Sequence, residues 1–222
     1  MHTSSMTVPV YFVVVFITRP RLGCVMGRVA AVVSNSCNPD PRVLREAVWL
    51  VEAGHDVTIH AFDRLQEYPE REVMNGITII RHRVGYTPYG GTWSTVRGLR
   101  KFRNKVIKDI RESNRKHDGV VDLIHCHDAD TLSVGLAITG AKVLFDMHDL
   151  HHSWVLMPNP RSIVRKAVSS RYRKKMLKDT AKVDAVVTSS TGFQSWLSKR
   201  GIESIVVENR PSMKEVLAPT SD

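Results

Sequence analysis

The stretch NPDPRVLREAVWLVEAGHDVTIHAF, Asn38 to Phe62, directly follows the apolar run RVAAVVS. Asp40 stands where a helix N-cap belongs, and Pro41 occupies the first helical position. Gly54 ends the helix. The predicted buried face of this helix consists of Val43, Leu44, Ala47, Val48, Leu50 and Val51. The pattern therefore predicts a strand, a loop, an amphipathic helix, a turn and a second strand.

Short apolar segments continue to alternate with helical patterns along the rest of the chain. The segments are RVAAVVS, DVTIHAF, ITIIRHRV, VDLIHCHD, KVLFDMH, AVVTSS and SIVVEN. Strands this rich in Val and Ile, separated by helices, are typical of a parallel sheet covered on both faces. We therefore predict an α/β fold, a doubly wound (Rossmann-like) and mostly parallel sheet of about seven strands.

The 222 residues divide into three parts. We predict a domain over residues 28–211, an N-terminal extension over residues 1–27 and a tail over residues 212–222. The extension contains VPVYFVVVFI, an apolar run of about half the length that spans a bilayer as a helix. We interpret it either as a shallow membrane anchor or as a misassigned start, with Met26 as the true first residue.

The composition points to an anionic partner in a reducing compartment. The net charge is +10, which suits phosphate, nucleic acid or a membrane surface. Three cysteines without a CxxC pair imply neither a disulfide framework nor a cysteine zinc site. The segments 97–116 and 161–178 are predicted to be basic helices that lie on anionic lipid headgroups, with a solvated helix face as the alternative. No usual nucleic-acid-binding motif is present, so we expect no nucleic-acid partner. From the cysteines and the basic segments we expect a cytoplasmic protein, peripheral on the inner face of the membrane.

Polar residues stand where the predicted strands end. In a doubly wound sheet, ligands bind outside the carboxyl ends of the strands, beside the first strand. The loop 34–40 lies there, and helix N–H groups after it attract phosphate, although an ordinary capped turn is the alternative. His127 and Asp128 close the fourth predicted strand, and His148 and Asp149 close the fifth. Histidine transfers protons or contacts phosphate near neutral pH, and a carboxylate beside it orients the ring.

A metal site is the alternative interpretation of the same residues. His125 and His127 point to one face of a strand, and Asp128 with Asp130 forms a DxD pattern. No HExxH or comparable helical spacing supports a metal centre. We therefore predict no metal and no cofactor.

Four segments in order resemble the N-terminal domain of a GT-B glycosyltransferase of family 4. They are VVSN with DPRVLREAVWLVEAGHDVTI, VDLIHCHDADTL, KVLFDMHDLHHSW, and VDAVVTSSTGFQSWLSKRGIESIVVENRPS, within residues 28–211. Members of the family are retaining transferases that move a sugar from a nucleotide diphosphate to an acceptor, usually without a metal. The resemblance implies that this half binds the acceptor and that the nucleotide sugar is bound mainly by a C-terminal domain.

The resemblance also assigns roles to individual residues. His148 falls on the family's active-site histidine, and we expect its ring to be accessible at the mouth of the cleft. The loop 34–40 falls where the family approaches the donor diphosphate, but NSCNPDP replaces the paired glycines of many members. The implied substrate-binding residues are Asn35, Ser36, Asp40, Arg42, His127, Asp128 and Asp149.

The family's donor-binding motif, Glu-x7-Glu, does not occur in this sequence. The first interpretation is an incomplete enzyme, inactive alone, that works with a separate donor-binding C-terminal domain or subunit. The second is a non-catalytic binding or membrane-tethering module, and the third is an unrelated α/β enzyme or a nucleic-acid binder. Further expected partners are a sugar or lipid-linked acceptor, an anionic membrane surface and a second copy of the chain.

Overall fold

The computed structural model describes residues 26–88 and 92–208. Residues 1–25 of the extension and the whole predicted tail, 212–222, lie outside this description. The interpretations of the extension and the tail therefore stay predictions.

Eight strands form one sheet in the order β3-β4-β2-β1-β5-β6-β7-β8. Neighbouring strands are parallel except β3 and β4, which are antiparallel. Chain order reverses beside β1, which lies between β2 and β5. The strands are Arg28–Val33 (β1), Asp56–Phe62 (β2), Arg71–Met74 (β3), Ile77–His82 (β4), Leu123–His127 (β5), Lys142–Met147 (β6), Ala185–Thr188 (β7) and Ile205–Val206 (β8). The predicted doubly wound, mostly parallel α/β fold is confirmed.

The edge strand β3 was not among the predicted strands. It has only four residues, and its side chains alternate between exposed and half-buried, so it lacks an apolar run. The turn that joins it to β4 contains Asn75 and Gly76, both with positive φ angles of 51° and 77°. An Asn-Gly pair is a strong hairpin signal, and it is the feature of the sequence that indicated this strand.

Six helices lie within the described residues, and they cover the two faces of the sheet. They are Pro41–Glu52 (α1), Thr92–Lys116 (α2), Leu132–Gly135 (α3), His151–Trp154 (α4), Ile163–Thr180 (α5) and Thr191–Ser198 (α6). Helix α1 packs on one face, and residues of α2, α3, α5 and α6 belong to the core on the other face. Each face thus has its own apolar core, as expected when crossovers place helices on both sides.

Helix α1 begins as predicted. The side chain of Asp40 accepts a hydrogen bond from Val43 N at 3.3 Å, and Pro41 is the first helical residue. Val43, Ala47 and Leu50 are buried, and so is Glu46, which belonged to the predicted polar side of the helix. The remaining predicted apolar positions, Leu44, Val48 and Val51, are partly buried. The stripe that faces the sheet therefore includes one carboxyl group.

The two basic helices differ in how they pack. Helix α2 buries Leu99, Phe102, Val106 and Ile110, so its predicted amphipathic pattern is confirmed. Helix α5 buries a mixed set, Ser169, Met176, Asp179 and Thr180, and exposes apolar residues in its first turns. Among the helices of residues 26–88 and 92–208, none combines the length and apolar character needed to cross a bilayer.

Candidate functional site

Four polar side chains at the carboxyl ends of β5 and β6 point to the same face of the sheet. Alternate residues of a strand share a face, so His125 and His127 accompany Leu123, while Asp146 and His148 accompany Leu144. Leu123 and Leu144 belong to the core beneath α1. The polar side chains therefore lie under α1 at the edge of the sheet, next to the end of β1.

Asp146 joins two of the predicted site histidines. Its Oδ2 lies 3.1 Å from His127 Nδ1 and is also hydrogen-bonded to His148 Nε2. The carboxyl of Asp146 is 1 % exposed and stays ionised: burial alone would raise its pKa, but the hydrogen bonds from His127 and His148 lower it. Asp146 thereby fixes the orientation of both rings.

His148 lies at the expected edge of the cleft, but its ring is more covered than expected. Only 8 % of its side chain is exposed, and its Nε2 is 3.9 Å from Glu46 Oε1. Asp146 holds the same nitrogen from the other side. The ring is covered because the carboxyl groups of α1 and β6 close around it.

Glu46 brings a second buried carboxyl to this group. Its Oε2 lies 3.5 Å from His125 Nε2 and 3.9 Å from His127 Nδ1. Burial raises the pKa of Glu46 well above its usual range, and the charge of Asp146 adds to this effect. Burial also lowers the pKa of His125, with a further contribution from His127. The group thus combines one ionised carboxyl with one that favours its protonated form.

A second layer of charged residues lies beside this group, where β1 and β5 end. Arg42 Nη2 is 3.3 Å from Asp128 Oδ2 and 3.5 Å from Asp40 Oδ2. Asn35 Nδ2 donates to Asp40 Oδ2 at 2.9 Å. Burial would raise the pKa of Asp40, but the Asn35 hydrogen bond and the charge of Arg42 lower it. Arg42 therefore links the start of α1 to the end of β5.

Asp128 also belongs to a group with Asp149 and His151, in which one ligand atom of each lies within 4.8 Å of the others. His151 Nε2 is 3.5 Å from Asp128 Oδ1, and Asp128 adopts a left-handed conformation with φ of 64°. Asp130 also contacts Arg103 and Tyr172, whose hydroxyl donates to it at 2.9 Å, and its Oδ2 lies 3.8 Å from His151 Nδ1. His151 thus contacts both carboxyls of the DxD pattern, one with each ring nitrogen.

The loop 34–40 is held through its carbonyl groups. Arg64 Nε donates to Ser34 O at 3.3 Å, and Arg81 Nε donates to Ser36 O at 2.9 Å. The Asp40 carboxyl already accepts from the first turn of α1, so it occupies the position expected for a donor phosphate. Among the described residues, Ser36 is bonded through its carbonyl oxygen, which accepts from Arg81, and not through a side-chain contact with the other site residues.

The structure thus brings most of the predicted residues into one connected set. Asn35, Asp40, Arg42 and Asp128 form the outer part, and His127 and His148 belong to the inner part. Glu46 and Asp146 are the residues that sequence reasoning missed. The signal for Asp146 was its position on the same face of β6 as His148, two residues earlier. The signal for Glu46 was its position three residues after the buried Val43, on the same side of the helix.

A family model and solved structures agree with this architecture. The family model described as "Glycosyl transferase 4-like domain" matches residues 39–209, which is more than half of the chain. A comparison with curated protein sequences found no match.

Solved structures share the fold at low sequence identity. A sucrose-phosphate synthase from Thermosynechococcus elongatus matches with a TM-score of 0.61 and 16 % identity, over 85 % of this chain and 49 % of that chain. The catalytic domain of starch synthase IV from Arabidopsis thaliana, bound to ADP and acarbose, gives 0.55 and 13 %, over 83 % and 51 %. A UDP-glucose: anthocyanidin 3-O-glucosyltransferase in complex with UDP gives 0.59 and 12 %, over 90 % and 56 %.

The present chain spans about half the length of each of these structures. They are GT-B glycosyltransferases, and the shared part is consistent with the N-terminal of their two domains. The match of the family model across both polar layers, together with the parallel sheet that carries them, shows that this chain belongs to the glycosyl transferase 4-like domain family.

Proposed function

We propose that this chain is the acceptor-binding half of a retaining glycosyltransferase that transfers a sugar from a nucleotide diphosphate sugar. The observation that carries the proposal is the convergence of Arg42, Asp128, Asp146 and His148 at the carboxyl ends of β1, β5 and β6. This edge, where the strand order reverses, is where open α/β sheets bind their ligands. A separate domain or subunit binds most of the donor.

The reaction needs an acceptor hydroxyl held against the anomeric carbon of the donor sugar. The new bond joins the acceptor oxygen to that carbon, and the bond from the carbon to the diphosphate oxygen breaks. The hydroxyl proton leaves with the departing phosphate. On this chain, Asp128 and Asp149 accept hydrogen bonds from sugar hydroxyls. His148 offers Nδ1 to the substrate, because Asp146 already binds its Nε2.

The donor diphosphate meets a limited binding surface here. The Asp40 carboxyl caps the start of α1. The backbone N–H groups of the first turn are therefore less available to phosphate than those of an uncapped helix. Arg42 is the nearby cation, and it is shared between Asp40 and Asp128. Weak donor binding by this half agrees with the role of a second domain, and neither a metal nor a cofactor is assigned to the transfer step.

The test uses the polypeptide or complex that contains this chain together with a donor-binding domain. Release of nucleoside diphosphate is measured with a panel of nucleotide sugars and with sugar and lipid-linked acceptors. His148→Asn should lower kcat by roughly 100-fold or more, the size of effect typical for a positioned catalytic side chain. His117→Asn, which changes an exposed histidine after α2, is the matched control. Equal activity of the two variants would remove His148 from the site.

We also propose that the protein is cytoplasmic and associates with the inner face of a membrane. The membrane association is supported by an apolar surface that α4, α5 and their connection expose. Its members are Trp154, Met157, Ile163, Val164 and Val168, with exposed fractions of 51, 73, 83, 72 and 47 %. A group of large apolar side chains exposed together usually marks a protein interface or a membrane contact.

The surroundings of this apolar surface suit anionic lipid. Helix α5 carries seven Lys or Arg residues and no acid before Asp179. Arg165 Nη1 donates to Val155 O at 3.0 Å, and Ser169 Oγ donates to His152 O at 2.6 Å. These bonds fix α5 against the segment before it. Apolar side chains surrounded by cations can insert at the level of the headgroups while the charges contact phosphate.

Sedimentation with vesicles tests the membrane proposal on the whole chain. Binding to anionic vesicles should exceed binding to neutral ones and should weaken as salt rises. The double change Ile163→Ser and Val164→Ser should weaken it further. Val73→Ser, at a residue 67 % exposed on β3, should leave it unchanged. If the double variant binds like the unmodified chain, the apolar surface belongs to another contact, such as the donor-binding domain.

A further inference from the structure

Beneath the proposed acceptor site, four side chains bring their ligand atoms to one point. They are Glu46 from α1, His125 and His127 from β5, and Asp146 from β6. One ligand atom of each lies within 4.8 Å of all the others. The four residues are 6, 1, 1 and 1 % exposed, respectively. This is a closed group inside the protein and not a patch of surface carboxylates.

Hydrogen bonds among these residues leave two of the converging atoms without a partner. Glu46 Oε2 and His125 Nε2 are buried and unpaired, although they lie 3.5 Å apart. Leaving a buried polar atom unpaired costs about 1–3 kcal/mol, and two such atoms face each other here. A ligand that accepts electron pairs from both would remove this cost.

The distances match a four-coordinate divalent cation. Metal–ligand bonds of about 2.0–2.2 Å in a tetrahedral site place neighbouring donor atoms roughly 3.3–3.6 Å apart. The separations here are 3.5 Å for Glu46 to His125, 3.9 Å for Glu46 to His127 and 3.1 Å for His127 to Asp146. Small side-chain rotations therefore suffice to complete the coordination.

The chemistry of the four groups selects the class of ion. Two imidazole nitrogens and two carboxylate oxygens suit zinc and other first-row transition metals. Calcium and magnesium prefer six or more oxygen ligands, often including water, which a dry site with two nitrogens does not supply. A divalent ion would also balance the two carboxyl charges of Glu46 and Asp146 after Glu46 loses its proton.

We propose that Glu46, His125, His127 and Asp146 bind one first-row divalent metal ion, with zinc as the first candidate. This departs from the sequence-based expectation that the chain holds no metal. The ion lies below the cleft and acts by position: it holds Asp146, which in turn holds His148. Outer hydrogen bonds of this kind usually orient the ligands of metal sites. The proposal does not depend on sugar transfer.

Metal content of the purified chain is the primary test. The chain is produced without a histidine tag in medium supplemented with zinc, and in parallel with cobalt, manganese or iron, and is analysed by mass spectrometry after gel filtration. One ion per chain is expected with zinc or another of these metals. A second measurement, the visible absorption of the cobalt form, should show the bands of four-coordinate cobalt with nitrogen and oxygen ligands.

Two glutamate variants of α1 locate the ion. Glu46→Gln keeps the shape of the side chain, removes the anionic ligand and introduces no buried charge, so it should fold and contain much less than one ion per chain. Glu52→Gln changes an exposed residue at the end of the same helix and should retain the full content. An ion that remains in Glu46→Gln is bound elsewhere, for instance at Asp128, Asp149 and His151, and this result overturns the proposal. Absence of any stoichiometric ion from the unmodified chain overturns it as well.

Discussion

His60 and His82 form a buried pair on the opposite face of the sheet from Glu46 and His125. His60 Nδ1 lies 2.9 Å from His82 Nε2, and the rings are stacked with centroids 5.2 Å apart. One ring nitrogen donates and the other accepts, and burial favours the neutral form of both rings. Beside them, Asp109 Oδ2 is 3.4 Å from His82 Nδ1, and a cavity of about 230 Å³ separates part of α2 from the sheet.

This pair predicts a loss of stability in mild acid. Burial lowers the pKa of His60 from 6.5 to about 4; burial, the neighbouring ring and Lys105 lower that of His82 to about 3. The unfolded chain therefore binds more protons than the folded one below pH 6.5. Stability contributed by the neutral pair is complete above pH 6.5 and is lost as the pH falls towards 4, at a cost of about 3 kcal/mol for His60.

Urea unfolding between pH 7.5 and 4.5 measures this effect. His60→Gln removes one titrating group, so its free energy of unfolding should fall less steeply with pH than that of the unmodified chain. His117→Gln, at an exposed position after α2, should follow the unmodified chain. A variant at residue 60 with an unchanged slope would show that acid sensitivity arises from other groups, for example His125.

Among the elements, α3 lies close against the sheet at Gly135. A Cβ atom added to Gly135 at its end would lie 2.7 Å from Val143 Cγ1 and 2.8 Å from Cys126 Sγ. Both contacts are shorter than van der Waals separation, and both partners are buried in β6 and β5. Gly135 thus permits α3 to pack directly on the strands that carry the site histidines.

Gly135→Ala should therefore destabilise the domain by about 1–3 kcal/mol, the usual cost of overpacking a core. Gly192→Ala in α6 is the matched control, because its Cβ would meet only Ser190 Oγ at 3.7 Å. It should change stability by less than about 1 kcal/mol, and alanine favours the helix. Equilibrium urea unfolding of both variants distinguishes packing from helix propensity. Equal stabilities would contradict close packing of α3.

At the scale of the whole molecule, the proposed function makes the described domain one wall of a cleft. The polar edge at the ends of β1, β5 and β6 is the edge where open α/β sheets bind ligands, and the chain spans about half the length of the GT-B structures that it matches. Transfer requires donor and acceptor to be held together in one closed site. One wall supplies only part of these contacts.

The isolated chain should accordingly transfer no sugar and bind nucleotide diphosphate sugars only weakly. Isothermal titration with several such donors should give no micromolar affinity, and an assay with sugar and lipid acceptors should give no product. Addition of a donor-binding domain or subunit is expected to restore turnover. Micromolar donor binding or turnover by the purified chain would show that this half is sufficient, which is contrary to the proposed function.

The sequence by itself determined the architecture and predicted where the candidate site lies. Apolar runs alternating with helical patterns predicted seven of the eight strands, and Asp40 and Pro41 predicted the start of α1. These features depend on local periodicity and capping, which neighbouring residues control. The rule that ligands bind at strand ends then placed His127 and His148 at one edge. The structure has them there, and both rings are hydrogen-bonded to the carboxylate of Asp146, at 3.1 Å for His127.

Only the tertiary structure decided which groups share the interior beneath that edge. Glu46 is adjacent in sequence to none of His125, His127 and Asp146, and a glutamate in an amphipathic helix is ordinarily solvated. Its burial follows from the packing of α1 on the sheet, which brings distant segments of the chain together. The covered ring of His148 has the same origin, because its coverage depends on contacts that no local pattern specifies. Strand β3 differs, since the Asn75-Gly76 turn beside it is a local signal.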